Sequence, residues 1–315
     1  YMGKRFFITG ATGCIGGWVV KNLIESGREV YALVRSPEKL SVLELIMEKE
    51  EIGKIHVVKG DITDYQLLLH TLKDDEIDTV IHMAAMQMPF CQADPVLGAR
   101  VNVEGTVNMF EAVKACGLKK LVYASSTAVY GLTEEYEGGV YDNSSPFHPH
   151  AHYGVYKQAN EWSARIYYEK ECISSIGLRP YVAYGPLRDQ GMTSTPTTAM
   201  KAAVKGEAYE ISYGGDFDFQ YVDDVAKAFI MAAEAEYEGA HCFNFAGNSV
   251  NMTEVVKAIE EACPQAKGLI TFKDEPLPFP KNVSGNELDR LIGEVPVTPL
   301  AEGVRQSVEI FKSRM

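Results

Sequence analysis

Short apolar runs alternate with longer amphipathic runs through the first half of the chain, and this alternation limits the fold more than any other pattern. Nearly continuous apolar runs are typical of strands that are buried on both faces. Strand–helix alternation favours parallel pairing with right-handed crossovers. We therefore predict an α/β fold with a doubly wound parallel sheet. The predicted strands are residues 5–9, 29–34, 54–59, 78–83 and 119–125, and the predicted helices are 15–26, 37–51, 64–73 and 94–116.

A glycine-rich turn joins the first predicted strand to the first predicted helix. Gly10, Gly13 and Gly16 are each three residues apart. In such a turn the first glycine allows the tight bend, the second lets the backbone approach a pyrophosphate, and the third lets the helix pack closely. The start of the helix offers free N–H groups to the phosphates. The motif predicts a Rossmann-type dinucleotide site, to which Thr12, Cys14 and Ile15 also contribute.

The residues after the second strand bear on which dinucleotide binds. An NAD site usually carries an acidic residue there, but this chain has Arg35 and Ser36. A guanidinium and a hydroxyl can bind a 2′-phosphate, which favours NADP. Alternatively, Arg35 stacks on the adenine from a solvated strand end, and NAD binds. Asp61, followed by Ile62, is placed to accept from the adenine amino group or else to cap the next helix.

A phenol and an ammonium group lie four residues apart in a predicted helix. Tyr153 and Lys157 therefore share one helix face. A lysine beside a tyrosine lowers the phenol pKa, so that the phenol can exchange a proton near neutral pH. A hydroxyl cluster, residues 125–127, ends the fifth predicted strand. Ligands bind at the carboxyl ends of parallel strands, so the two groups are expected to meet there.

The chain resembles the extended short-chain dehydrogenase/reductase family, in its NAD(P)-dependent epimerase/dehydratase group. The resemblance covers nearly the whole chain. The shared motifs are the Thr-Gly-x-x-Gly-x-x-Gly turn, Gly60-Asp61, His82-Met83-Ala84-Ala85, residues 101–106 (Val-Asn-Val-Glu-Gly-Thr), the Ser-Ser pair, Tyr-x-x-x-Lys, Leu178-Arg179-Pro180, Tyr184-Gly185-Pro186 and residues 221–226 (Tyr-Val-Asp-Asp-Val-Ala).

The resemblance implies a catalytic group. Tyr153 is similar to the family's general acid/base, and Lys157 to the residue that lowers its pKa and holds the nicotinamide ribose. Ser126 matches the hydroxyl that polarises the substrate carbonyl, although its neighbours in residues 125–127 are alternatives. Asn102 resembles the asparagine whose backbone feeds a water relay to the lysine, and is otherwise a helix-surface amide. The implied cofactor-lining positions are Ala84, Ala85, Pro180, Tyr181 and Val182.

The substrate side is predicted from the loop after the fourth strand and from the surroundings of Tyr153. Three histidines at residues 148, 150 and 152 invite a metal site. No cysteine or carboxylate is arranged with them, so we predict no metal. The predicted substrate-contacting residues are Met86, Gln87, Ser126, Thr127, His152, Tyr153, Tyr181 and Met192.

Two departures from the family pattern argue against a sugar-nucleotide substrate. Val182 stands where sugar-nucleotide members commonly have asparagine, and Phe217 where they often have arginine. Neither neutralises a diphosphate, although Arg188 or Arg290 can substitute. Our leading interpretation is an NADP-preferring oxidoreductase acting on a secondary alcohol or carbonyl. The alternatives are an NAD-dependent sugar or sugar-nucleotide 4-epimerase using the same residues, and a non-catalytic dinucleotide sensor.

Composition and charge exclude some classes of binding partner. The 315 residues carry a formal net charge of −13, which disfavours nucleic-acid binding. No apolar run is long enough to span a membrane, and six scattered cysteines indicate a reduced, cytoplasmic protein. We expect residues 1–180 to form the dinucleotide-binding domain and residues 181–315 a smaller substrate-binding domain, with some elements returning to the main sheet. The family resemblance implies a homodimer formed through helices near residues 94–116 and 152–172.

Overall fold

A parallel sheet forms the centre of the protein in a computed structural model that describes residues 4–279, 282–283 and 286–315. The strands are β1 (Arg5–Thr9), β2 (Glu29–Val34), β3 (His56–Lys59), β4 (Thr79–His82), β5 (Lys120–Ala124), β6 (Val140–Tyr141), β7 (Ser174–Arg179), β8 (Val182–Tyr184), β9 (Tyr209–Ile211), β10 (Asp216–Tyr221), β11 (Ala240–Asn244), β12 (Asn248–Asn251), β13 (Ile270–Phe272) and β14 (Asn282–Val283). Seven of them form the main sheet in the order β11-β7-β5-β4-β1-β2-β3. The predicted α/β class with a doubly wound parallel sheet is confirmed.

Helices cover both faces of this sheet. They are α1 (Cys14–Glu25), α2 (Lys49–Ile52), α3 (Tyr65–Asp74), α4 (Met88–Ala93), α5 (Pro95–Ala99), α6 (Gly105–Ala115), α7 (His152–Glu171), α8 (Thr195–Lys205), α9 (Val222–Glu234), α10 (Met252–Ala262), α11 (Asn286–Ile292) and α12 (Leu300–Arg314). One apolar cluster joins α1 and α9 to one face, and a second joins α3, α6 and α7 to the other. Apolar residues within each strand therefore alternate between two cores.

The chain after residue 180 contributes to two layers. β8, β10 and β12 form a separate three-stranded sheet, in which β10 pairs in parallel with β8 and antiparallel with β12. β11 returns to the main sheet and pairs in parallel with β7 at its edge. In α/β proteins the ligand crevice lies beyond the carboxyl ends of the parallel strands, so we expect it here between the main sheet and the smaller sheet.

The segment predicted as one helix over residues 94–116 is interrupted. α5 ends at Ala99, a single π-helical turn spans Arg100–Glu104, and α6 begins at Gly105. Such turns are rare and often lie at functional sites. This one contains Asn102. No helix in the described ranges is both long and apolar enough to cross a membrane.

Candidate active site

The turn between β1 and α1 leaves room for a phosphate group. Gly10 has φ +73°, and a Cβ there would lie 2.8 Å from the carbonyl carbon of Met83, so only glycine fits. A Cβ on Gly16 would collide with the carbonyl oxygen of Gly10. Gly13 is exposed, and α1 begins after it without a side-chain cap or an acidic residue in the first turn. The N–H groups in the first turn of α1 are therefore free to bind an anion, which fits the predicted pyrophosphate site.

A chain of buried hydrogen bonds crosses the floor of the crevice behind this turn. Thr9 Oγ1 lies 2.8 Å from His82 Nδ1, and His82 Nε2 lies 3.0 Å from Thr106 Oγ1. Thr106 Oγ1 donates to the Asn102 carbonyl oxygen at 2.7 Å. Thr9 Oγ1 also accepts from the backbone N–H groups of Met83 and Ala84. His82 thus packs within the sheet, and both nitrogens of its ring are hydrogen-bonded.

The residues predicted for the adenosine end lie at the ends of β2 and β3. Arg35 is exposed, and no hydrogen bond or ion pair of its side chain is found within the described residues. Asp61 Oδ1 accepts from both the N–H and the hydroxyl of Thr63, at 3.0 and 2.8 Å. The cap of α3 is Asp64, which accepts from the N–H of Leu67. Asp61 therefore shapes the turn before α3. Ser36 and Thr12 are half-buried, whereas Ile62 is buried.

Tyr153 and Lys157 face the same side of the first turns of α7. Lys157 is buried; its Nζ donates to the Ala124 carbonyl oxygen at 2.6 Å and lies 5.6 Å from the centre of the Tyr153 ring. Burial lowers the pKa of Lys157 to about 8. Burial raises the pKa of Tyr153 to about 12, although a hydrogen bond with Ser126 and the charge of Arg188 act to lower it. The expected lowering of the phenol pKa by Lys157 is therefore not seen, because desolvation of the phenol dominates.

The three hydroxyls at the end of β5 take different roles. Ser125 is buried and donates to Glu161 Oε1 at 2.5 Å. Thr127 donates to the Pro180 carbonyl oxygen at 3.3 Å. Ser126 is half-buried, accepts from the Ala128 N–H at 3.1 Å and hydrogen-bonds to Tyr153. Of these hydroxyls, Ser126 is the one that the structure brings to the phenol.

Glu161 was missed in the sequence. It lies one turn beyond Lys157 on α7. Its carboxylate accepts two hydrogen bonds from Arg179, one from Nε at 2.8 Å and one from Nη2 at 2.6 Å. Both side chains are buried, and the contacts with Glu161 outweigh burial and raise the pKa of Arg179. This pair ties α7 to β7. The four-residue spacing of Tyr153, Lys157 and Glu161 was a signal that could have found it.

The amide of Asn102 fastens the loop after β4 to the π-helical turn. Its Oδ1 accepts from the Met86 N–H at 3.1 Å. Its Nδ2 donates to the carbonyl oxygens of Met86 and Gly98 and contacts Cys91 Sγ at 3.3 Å. Asn102 is completely buried, so it is not a helix-surface amide. Its carbonyl oxygen accepts from the Thr106 hydroxyl.

The side chains of Gln87 and Arg188 both lie beside Gly191. Gly191 has φ +96°, and a Cβ there would lie 2.8 Å from Gln87 Oε1 and 3.4 Å from Arg188 Nη2. Leu187 has φ +75°, an uncommon value for a leucine. Arg188 Nη2 donates to Thr193 Oγ1 at 2.9 Å, whereas its buried Nε has no partner within the described chain. A cation with spare hydrogen-bonding capacity therefore borders Tyr153.

The other predicted residues differ in their burial and in their contacts. His152 is exposed and stacks on Tyr156, with 6.0 Å between ring centres. Tyr181 is half-buried, and its N–H donates to Gln220 Oε1 at 2.9 Å. Val182 and Phe217 are core residues. No group of three histidine, cysteine or carboxylate side chains within the described ranges is placed to hold a metal. The remaining predicted residues are exposed or half-buried: Ile15, Ala84, Ala85, Pro180 and Met192.

Comparison with known proteins agrees with the fold and the motifs. The family model described as the NAD dependent epimerase/dehydratase family matches residues 6–246. The chain belongs to this family. A curated relative is the UDP-glucose 4-epimerase of Mycolicibacterium smegmatis, which is 29% identical over 325 residues and is aligned over 98% of this chain and 99% of its own length. The family resemblance predicted from the sequence is confirmed.

Solved structures of this family share the fold. The structure of MoeE5 in complex with UDP-glucose and NAD has a TM-score of 0.80 and 26% identity, and covers 98% of this chain and 99% of MoeE5. The UDP-N-acetylglucosamine 4-epimerase of Methanobrevibacter ruminantium has a TM-score of 0.85 and 24% identity, and covers both chains completely. The second likeness shows the fold alone. The chain is thus an enzyme-family member whose similar proteins bind NAD and sugar nucleotides.

Proposed function

We propose that the protein is a nicotinamide-dependent 4-epimerase of a sugar or sugar nucleotide. The observation that carries this proposal is the closeness of Tyr153 to two side chains: Ser126, which acts to lower its pKa, and Lys157, whose Nζ lies 5.6 Å from the centre of the phenol ring. The similarity to a UDP-glucose 4-epimerase along nearly the whole chain supports the epimerase alternative over the net oxidoreductase that we favoured from the sequence.

The side chains suit proton transfer to and from a substrate oxygen. A nicotinamide dinucleotide held by its pyrophosphate at the glycine turn would supply a hydride acceptor, which could return the hydride to either face of the substrate carbon. Ser126 and the Oη of Tyr153 would hold the substrate oxygen between them. In its phenolate form, Tyr153 would take the hydroxyl proton as the carbonyl forms, and the resulting phenol would give the proton back as the carbonyl is reduced. The ammonium of Lys157 lies over the phenol ring and would stabilise its anion.

A net dehydrogenase or reductase is the second candidate. Val182 and Phe217, which stand at the two positions associated with diphosphate binding, are 2% and 0% exposed. Neither side chain is available to a diphosphate. This observation favours a substrate without a nucleoside diphosphate, and the same three catalytic residues would then serve a one-way hydride transfer.

The choice between NAD and NADP belongs to the same proposal. The exposed Arg35, without a partner within the described chain, supports binding of a 2′-phosphate and hence NADP. The similar structure of MoeE5 holds NAD. We propose that the site accepts both cofactors, and that Arg35 determines the ratio of their affinities.

The cytoplasmic location stays a prediction.

We also propose a homodimer. Tyr156 on α7 donates from its hydroxyl to the Pro95 carbonyl oxygen at 2.7 Å, so α5 and α7 form one surface. Val155, Trp162 and Ile166 are exposed on α7, and Val96 is 73% exposed on α5. Such an apolar face favours a second copy of the chain. Light scattering should report a dimer, and Trp162→Glu should give a monomer, whereas Trp18→Phe, inside the core, should not.

The decisive experiment follows substrate and cofactor together. The protein is incubated with NAD and UDP-glucose, UDP-glucuronate or UDP-N-acetylglucosamine; the sugar is examined by NMR and the nicotinamide by absorbance. An epimerase forms the 4-epimer with no net absorbance change. A net oxidoreductase would show absorbance rising in step with product, and failure of every sugar nucleotide would move the search to simple ketones and aldehydes. Tyr153→Phe is the control for contaminating activity.

A further inference from the structure

The hydrogen bonds around His82 determine where its proton lies. Thr106 Oγ1 uses its single proton to donate to the Asn102 carbonyl oxygen at 2.7 Å. The same oxygen can therefore only accept from His82 Nε2, at 3.0 Å. Nε2 thus carries a hydrogen. This assignment follows from the donors and acceptors present, in the way that histidine tautomers are assigned.

The other side of the ring follows by the same reasoning. Thr9 Oγ1 accepts from the N–H groups of Met83 and Ala84 at 3.1 and 3.0 Å, so its lone pairs are used. Its own proton is free to be donated to His82 Nδ1 at 2.8 Å. Nδ1 is therefore an acceptor, and the ring is neutral. Burial and the nearby charge of Lys157 both lower the pKa of His82, to about 3.

The ring lies between two hydrogen-bonded parts of the site. Thr9 precedes Gly10 and holds the backbone against which the glycine turn packs. Thr106 holds the carbonyl oxygen of Asn102, whose amide in turn fastens Met86. The ring and its two partners are all buried: Thr9 is 0%, His82 3% and Thr106 2% exposed. Any loss of one bond leaves a buried polar group unpaired, which is costly.

We propose that His82 is a positioning residue that couples the cofactor turn to the Asn102 segment through a single neutral tautomer, protonated on Nε2. The inference rests on the proposed binding of a nicotinamide dinucleotide. It assigns His82 no contact with substrate and no proton transfer. It explains why a polar ring stands at the end of β4, in a sheet whose other buried strand residues are mostly apolar.

The tautomer is tested directly by NMR of the wild-type protein labelled with ¹⁵N in its histidine rings. We expect the ring of His82, assigned by its absence in His82→Gln, to be protonated on Nε2 alone and to keep this state from about pH 5 to pH 8. Protonation on Nδ1, or titration of the ring within that range, overturns the proposal. This measurement needs neither substrate nor turnover, so it stands apart from the test of epimerase activity.

The coupling is tested by NAD binding, measured by calorimetry on Thr9→Val, Thr106→Val and the double variant. Each single change should weaken binding about tenfold, because each leaves a buried polar group unpaired. The double variant should be about as weak as either single one, because the bridge is already broken. Independent effects, about a hundredfold together, overturn the coupling, as does wild-type affinity in Thr106→Val.

Two controls separate positioning from simple structural damage. Thr106→Ser keeps the hydroxyl and should bind NAD within about twofold of wild type. Thr79→Val removes another buried hydroxyl from the opposite end of β4, and should leave NAD binding unchanged. If Thr79→Val weakens binding as much as Thr106→Val does, the effect is a general loss of packing and the proposal is wrong. If the valine variants do not fold, the NMR measurement still decides the tautomer.

Discussion

The two walls of the crevice differ in how completely their polar groups are paired. On the cofactor wall, defined by Thr9, His82 and Thr106, every hydroxyl and ring nitrogen has a partner. On the proposed substrate wall, which we define by Tyr181, Arg188 and the nearby Asp218, the buried Tyr181 hydroxyl and Arg188 Nε have none among the described residues. Buried polar groups are almost always paired. The cofactor wall therefore needs no ligand to satisfy these polar groups, whereas the proposed substrate wall has two buried groups that a ligand could satisfy.

Tyr153→Phe removes the hydroxyl that we propose as the general acid/base, and should have the largest effect on turnover. Turnover should fall about a thousandfold, in the range for loss of a general acid/base. NAD affinity should stay within about twofold, since no paired group of the cofactor wall is lost. Steady-state kinetics and calorimetry check both statements. Tyr156→Phe, whose hydroxyl only reaches the Pro95 carbonyl oxygen, is the matched control.

Asp218→Asn tests the substrate wall through stability. Burial raises the pKa of Asp218 from 3.8 to about 7, so its protonated form favours the folded state. That contribution is present below about pH 4 and is lost as the pH rises through about 7. The variant should therefore be more stable than wild type by about 4 kcal/mol at pH 8 and nearly equal to it at pH 4. Urea unfolding at both pH values measures this, and a constant difference would contradict it.

Arg188→Gln tests whether the unpaired cation reads the substrate. Loss of a charged hydrogen bond in a partly buried site should weaken the binding of an anionic substrate about twentyfold. NAD binding should not change if Arg188 belongs to the substrate wall. Titration of both ligands separates the two, and weakening of NAD instead would place Arg188 on the cofactor wall. Arg305→Gln, which changes an exposed arginine on α12, is the control.

Arg35→Asp should have the smallest effect because Arg35 is exposed. The ratio of NADP to NAD affinity should fall about fivefold, as expected for one solvated ion pair. Binding of the two cofactors to the same preparation checks this. An unaltered ratio would mean that another residue reads the ribose, and would leave the comparison of the two walls intact.

The sequence was sufficient where local pattern decides structure. Apolar runs predicted the strands, and the spacing of Gly10, Gly13 and Gly16 predicted the turn that β1 and α1 form. It was insufficient over residues 37–51, predicted as one helix. There the structure has a 3₁₀ helix, Pro37–Leu45, and only a single turn of α-helix, because Ile46 has non-helical backbone angles.

The sequence also could not show which of three neighbouring hydroxyls lies beside Tyr153. Ser125, Ser126 and Thr127 are adjacent and similar, and all three end β5. Their roles differ only because each contacts a different residue of another element. Ser125 contacts Glu161, Thr127 contacts the Pro180 carbonyl oxygen, and Ser126 contacts Tyr153. The same holds for the phenol pKa. Spacing places Lys157 beside Tyr153, but the burial that raises the phenol pKa comes from residues distant in the chain.

The amino-acid sequence by itself determined the order of strands and helices, the glycine turn and the shared face of Tyr153 and Lys157, since each depends on periodicity within a few residues. The tertiary structure alone decided which hydroxyl meets the phenol, which ring nitrogen of His82 carries hydrogen, and which polar atoms stay unpaired. Those outcomes depend on partners far away in sequence, brought within hydrogen-bond distance only by packing of the sheets and helices.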